Sequence, residues 1–401
     1  MTEIPFLPYG KHAVDQADID AVVSVLRSDF LTTGPTIAAF EKSFAEATAA
    51  PFATACCNAT AGLHLATLAL GIGPGDCVIV PSVTFLATAN AVRMAGGEVV
   101  FADVDPTTGL MGPDHLAAAA ARATGPINAV FPVHLAGRLA DMPALAAIAT
   151  GRGWSIVEDA CHALGGTYRG PDGSEGNVGA CRHSDLSVFS FHPVKTIASG
   201  EGGIVTSKNT ALRDRLALLR NHDMRRDGDF VNKELAYDAA GQPNPWYYEM
   251  RELGYNYRLS DIHAALGLSQ LQKLETIADR RRALCALYDE ALAPLAPKLR
   301  TIPAQPGIDP VLHLYVVHID FNAIGIDRAT FMHRLRAAGI GSQVLYIPVA
   351  WQPYYRDQYG DLDLPGAASY YGTSLALPFY NSLKDADVER VVDELTKLVQ
   401  G

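Results

Sequence analysis

From about Thr54 to Thr206, short apolar runs alternate with segments of helical periodicity. The runs are residues 78–80, 98–102, 129–133, 155–157 and 186–191. Between them, residues 61–70, 87–94 and 113–121 carry apolar positions at helical spacing. Strands that alternate with helices predict an α/β fold, a mostly parallel sheet flanked by helices on both faces. Residues 15–27, ahead of this region, read as an amphipathic helix.

The later chain has a different pattern. Residues 224–245 are polar, with Asp, Gly, Asn and Pro, and predict a long loop or mobile insertion. Residues 260–292 predict one long helix, with Ile262, Leu266, Leu268, Leu271 and Leu274 on a broad apolar face. Beyond it, 314–321 and 340–345 predict strands, and 328–338 and 385–399 predict helices. The expected division is a large domain over 1–260 and a smaller α+β domain over 261–401, entered by the long helix.

Composition narrows the class. The 401 residues are 49% hydrophobic, enough for a large core. No charge-free apolar run approaches the roughly 18 residues of a membrane span. The N-terminal stretch lacks the basic-then-apolar order of a secretory signal. A net charge of −11 argues against nucleic-acid binding, which needs a basic surface. None of the six cysteines forms a C-x-x-C pair, and no Cys/His cluster has zinc spacing. These features predict a cytoplasmic protein with reduced thiols and no metal site.

The candidate chemistry is concentrated in two stretches. Ser187 to Ser207, SVFSFHPVKTIASGEGGIVTS, reads as a strand, a polar turn, a Gly-rich turn and a second strand. The turn places Ser190, His192 and Lys195 at a strand end. A lysine in such a place can lose its charge and act as an amine nucleophile; it can equally be a solvated lysine in a hairpin. Trp154 to Gly166, WSIVEDACHALGG, sets Glu158 and Asp159 at the end of another strand, the edge where open α/β sheets bind ligands. Asp159 can cap a helix or pair with a protonated ring nitrogen. A lysine and a carboxylate at strand ends are what pyridoxal phosphate requires.

The chain resembles the DegT/DnrJ/StrS-type sugar aminotransferases, which are fold-type I pyridoxal-phosphate enzymes. The likeness runs through LTTGPTIAAFE, NATAGLHLATLALGIGPGD, PSVTFLATANAV, VEDACHALGG, SFHPVKTIASGEGG and GYNYRLSDIHAALGLSQL. Within that family, Pro245 to Leu271 is most similar to the transaminases of pseudaminic acid biosynthesis.

The resemblance implies a role for each matched residue. Lys195 matches the Schiff-base lysine and Asp159 the partner of the pyridinium nitrogen. His162 matches the residue at the ring's phenolic oxygen, and Phe85 the aromatic that covers the ring. Ala59, Thr60 and Ser190 match the phosphate site. Asn256 matches a residue that reaches the phosphate of the neighbouring subunit, which implies a homodimer with shared active sites. Thr33, His192, Arg220 and Tyr346 are candidates for substrate contact, and Arg258 for ligand contact or a salt bridge. Cys57 and Ala59 replace the Asn and Gly of the N-S-G-T that many relatives carry, and Asp223 replaces a glycine. The implied reaction moves an amino group from an amino acid, L-glutamate, to UDP-4-keto-6-deoxy-N-acetyl-altrosamine. The same chemistry on a GDP-perosamine-type sugar, a dTDP-keto sugar or a non-nucleotide ketone is the alternative. A Rossmann oxidoreductase would need G-x-G-x-x-G after the first strand, where this chain reads CCNATAG.

Overall fold

The computed structural model describes residues 5–169 and 175–401. Seven strands build the main sheet: β1 (Phe52–Cys56), β2 (Cys77–Pro81), β3 (Glu98–Ala102), β4 (Ile127–Val130), β5 (Ser155–Asp159), β6 (Leu186–Ser190) and β7 (Gly203–Ser207). Their order across the sheet is β1-β7-β6-β5-β4-β2-β3. Every neighbouring pair is parallel except those made by β7, which runs antiparallel to β1 and β6. The strands β2, β6 and β7 are buried almost throughout, as expected where helices cover both faces, and the buried Ser187 and Thr206 hydroxyls donate to Glu158 and to the Gly179 carbonyl.

Helices cover both faces. Around the site the relevant ones are α1 (Gln16–Leu26), α2 (Pro35–Thr48), α3 (Ala59–Ala69) and α4 (Leu86–Met94). Asp15 caps α1, Pro35 opens α2, and Asn58 caps α3 through Oδ1 to the Ala61 N–H at 2.8 Å, while α4 starts after Phe85 without a side-chain cap. The later chain forms a three-stranded antiparallel sheet, β8 (Leu299–Thr301), β9 (Tyr315–Ile319) and β10 (Ser374–Leu377), with β9 in the centre. Its own apolar core includes Leu284, Tyr288, Phe331, Val391 and Leu395.

Three expectations change. The helix expected over 260–292 is two helices, Asp261–Leu271 and Leu274–Leu292. The break falls at Lys273, whose Nζ sits 2.8 Å from both Asp15 and Asp18 at the start of α1. Asp18 is fully buried and also accepts from Ser269 and Gln270, so the break serves a buried ionic anchor. Residues 340–345 form no strand; they make single bridges from Ile340 to Leu7 and from Gln343 to Ala376. The polar stretch from 224 is mostly loop, yet it is tied at its base. Met224–Arg225 pairs with Glu249–Met250, and the buried Asp223 carboxylate accepts from the N–H groups of Arg251 and Glu252 at 2.8 Å each. Asp223 has a φ of 50°, which explains why a glycine suits that position elsewhere. Its side chain offsets that backbone cost with these bonds and an ion pair to Arg225.

Candidate active site

The carboxyl edge of the main sheet opens into a cavity of about 500 Å3. Residues just after β1, β2 and β4, and at the ends of β5 and β6, line it: Asn58 to Thr60, Thr84 and Phe85, Val133, Asp159 and Ser190. Lys195 enters from the turn between β6 and β7. Tyr9, His313, Leu314, Leu345 and Tyr346 close it from the other side.

The start of α3 is built for an anion. The Asn58 side chain takes the Ala61 N–H and the Asn58 carbonyl takes that of Gly62. The N–H groups of Ala59 and Thr60 are left at the helix mouth, where the helix dipole favours negative charge. β7 lies close beneath: a Cβ on Gly203 would fall 2.5 Å from the Asn58 carbonyl carbon and 2.7 Å from the Ala59 nitrogen.

Asp159 is 6% exposed. Its Oδ2 accepts from the Thr88 hydroxyl at 2.7 Å and its Oδ1 from the Cys161 N–H at 3.2 Å. Desolvation lowers the Lys195 ammonium below the ordinary lysine range, against the opposing pull of Cys161 and Asp159. Burial pushes the Cys161 thiol far up, so at neutral pH it is uncharged.

His162 is buried at the cavity wall. Its Nδ1 accepts from the Ala136 N–H at 3.1 Å, so the ring proton sits on Nε2, 3.3 Å from the Tyr346 oxygen. Burial, then the Lys195 charge, holds this imidazole well below its usual pKa and therefore neutral. Phe85 is half exposed, its ring 5.8 Å from that of Tyr346.

Ala59, Thr60, Phe85, Asp159, His162, Ser190, His192, Lys195 and Tyr346 thus share one cavity. Thr33, Arg220 and Asn256 do not line it. Thr33 and Arg220 border a separate hollow of about 250 Å3 with Asn221 and Arg258. Arg220 braces β1 against α2, with 2.5 Å contacts to Glu41 and to the Ala55 carbonyl, and Arg258 donates to Asn221 at 2.6 Å. Asn256 is exposed on a loop that bridges to Asn221. Sequence reasoning missed Tyr9, Thr84, Thr88, Glu201 and His313. Only His313 carried a local signal, a lone imidazole in the apolar stretch VLHLYVV.

This donor set fits pyridoxal phosphate. The α3 N–H groups and Ser190 can take the phosphate, Asp159 the protonated ring nitrogen, His162 the phenolic oxygen and Lys195 the aldehyde. Strand order and the carboxyl-edge cavity put the chain among the fold-type I pyridoxal-phosphate enzymes. More narrowly, it belongs to the DegT/DnrJ/EryC1/StrS aminotransferase family, whose sequence model matches residues 12–396. It is therefore an aminotransferase, and its cofactor is pyridoxal 5'-phosphate.

Three relatives illustrate the likeness. Spore coat polysaccharide biosynthesis protein SpsC of Bacillus subtilis (strain 168) is 36% identical over 399 residues, 99% of this chain and 98% of SpsC. The PMP-form of a sugar aminotransferase from Streptococcus pneumoniae, Spr1654, superposes with a TM-score of 0.86 at 27% identity, covering 99% of both chains. Helicobacter pylori PseC, an aminotransferase involved in the biosynthesis of pseudoaminic acid, gives 0.86 at 25% identity, covering 98% of this chain and 99% of PseC.

Proposed function

We propose that this aminotransferase moves an amino group from L-glutamate to a keto sugar nucleotide, UDP-4-keto-6-deoxy-N-acetyl-altrosamine. The observation that carries the reading is the meeting of Lys195, Asp159 and the start of α3 in one cavity. The bound cofactor supplies an aldehyde that holds the amino group between donor and acceptor, and a ring that takes up electrons.

In this reading Asp159 would keep a proton on the cofactor's ring nitrogen, and Thr88 and the Cys161 N–H hold its carboxylate in position. Nζ of Lys195, its pKa lowered by burial, would take the proton from the α-carbon of the amino donor. Nε2 of His162 donates to the phenolic oxygen. Tyr346 and Phe85 exclude water from the reacting carbon.

Among the described residues, Lys195 is the only lysine or arginine that lines the cavity. A dicarboxylate donor and a diphosphate-bearing acceptor both call for cations or further donors. That supports a homodimer in which Asn256, exposed in one chain, serves the phosphate site of the other. Arg258 lies two residues away on the same loop.

The acceptor rests on the Pro245–Leu271 resemblance and on the PseC likeness. SpsC, at higher identity and named for spore coat polysaccharide, favours a second reading: the same chemistry on a different keto sugar. The test is amination of UDP-, GDP- and dTDP-linked 4-keto sugars with glutamate. The first reading expects the altrosamine ketone to lead in kcat/KM. A tenfold preference for another ketone would transfer the assignment to it.

A further inference from the structure

His313 stands in the cavity wall immediately before β9 and is 3% exposed. Its main chain is held firmly. The His313 N–H donates to the Ala136 carbonyl at 2.8 Å, and the Leu314 N–H reaches the same oxygen at 3.2 Å. The buried guanidinium of Arg281 donates to the carbonyls of Leu312 and His313 at 3.0 and 3.2 Å. Gly137 packs so closely that a Cβ there would come within 2.8 Å of the His313 nitrogen. The ring is thereby set 4.6 Å from that of His162.

No hydrogen bond from the described residues reaches this ring. Nδ1 is sealed from solvent and has no hydrogen-bond partner among the described residues. A sealed, unpartnered N–H is harder to tolerate than an unpartnered lone pair, so the proton belongs on Nε2, the nitrogen left for the cavity. Burial, with the nearby charge of Lys195, keeps the ring neutral. A neutral N–H donor gives no counter-charge to a carboxylate, and Asp159 and Glu201 already make the cavity acidic. A hydroxyl oxygen suits it better.

We propose that His313 is a substrate-contacting residue whose Nε2–H donates to the sugar hydroxyl next to the reacting ketone, and so helps to select the acceptor. The proposal rests on the keto-sugar reading above. The experiment is a double-mutant cycle on the holoenzyme loaded as its pyridoxamine form. The acceptor half-reaction is followed with a keto sugar that has or lacks that hydroxyl, in wild type, His313→Leu and His313→Gln. In wild type, loss of the hydroxyl should lower kcat/KM at least about fivefold, mainly through KM. In His313→Leu the same deletion should cost less than twofold, and His313→Gln, which keeps a donor near Nε2, should restore part of the difference.

The donor half-reaction with glutamate, read from cofactor absorbance, should stay within about threefold in both variants. Equal hydroxyl losses in wild type and His313→Leu would overturn the proposal. So would a shifted resting cofactor band, which would assign His313 to the cofactor. If His313→Leu does not fold, His313→Ala, which also lacks a donor, takes its place in the same comparison. A wild type that completes the donor half-reaction yet aminates no keto sugar would sink the acceptor reading, and this proposal with it. That result is seen without any variant.

Discussion

The Thr88 hydroxyl donates to Oδ2 of Asp159 at 2.7 Å, joining the first turn of α4 to the last residue of β5. Thr88 has one proton to give, so the 2.8 Å contact between the Thr84 and Thr88 hydroxyls runs from Thr84. Two hydroxyls in series thus end on a buried carboxylate, and each bond strengthens the next.

Thr88→Val should keep the shape and remove this support. A hydrogen bond to a charged group contributes about 1.5–3 kcal/mol, so kcat should fall about tenfold or more while the variant still binds cofactor. Asp159→Asn should lose more, because an amide cannot hold the ring nitrogen protonated. Steady-state kinetics on both variants is the measurement; a Thr88→Val enzyme with wild-type kcat would remove Thr88 from the mechanism.

Lys195 should react with pyridoxal phosphate at lower pH than a free lysine. Desolvation lowers its pKa from 10.5, so the reactive neutral amine is gained as pH rises through a midpoint under that value. Mixing cofactor-free protein with pyridoxal phosphate over a pH series reads this midpoint by absorbance. Asp159→Asn removes an anion that raises the lysine pKa, and should move the midpoint lower still. A midpoint that moves upward would contradict the assigned electrostatics. Lys195→Ala should abolish the reaction.

Gly203→Ala should weaken the phosphate site from beneath. The new methyl would meet the backbone of Asn58 and Ala59, atoms that cannot move without displacing the start of α3. Cofactor affinity should drop at least about tenfold, a loss of about 1.4 kcal/mol or more, measured by equilibrium titration. Unchanged affinity would mean that the helix start is not the phosphate cradle.

Glu158 faces away from Asp159 into a buried polar cluster. It accepts from His134 Nε2 at 2.9 Å, from Ser187 at 3.0 Å and from Ser184. Burial acts to raise its pKa, but His134 and the two serines win and hold it below 4.5. The charged form therefore stabilises the fold fully above pH 4.5, and this contribution is lost as pH falls through the lower folded value. Glu158→Gln should cost about 2–3 kcal/mol at pH 7. Urea unfolding should show the gap shrinking as the pH drops below 4.5; a gap that widens on acidification would reverse the sign.

The proposed sharing of the site can be tested by mixing subunits. Lys195→Ala and Asn256→Ala should each be impaired, but a hybrid dimer carries one wild-type site if Asn256 serves the neighbouring chain. Activity should recover towards a quarter of the wild-type level once exchange is demonstrated by mass. No recovery despite proven exchange would return Asn256 to its own subunit.

Local chemistry wrote much of this protein into its sequence. Alternating apolar runs and helical periods foretold the main sheet, because burial on both faces demands apolar strands and caps mark where helices start. The strand ends carrying Asp159, Ser190 and Lys195 were legible for the same reason: a short polar segment follows each apolar run. What the tertiary structure alone decided lies between distant segments. Thr88 and Asp159 are 71 positions apart, and His162 and Tyr346 are 184 apart. No local period encodes such pairs. The single helix expected over 260–292 is interrupted beside an ion pair to α1, and Arg220 pairs with Glu41 outside the cavity. His313 carries a local signal as a lone imidazole in VLHLYVV, but only packing showed that its Nδ1 is sealed without a hydrogen-bond partner among the described residues. Periodicity reports which face of an element is buried; which polar groups then meet depends on how the elements pack.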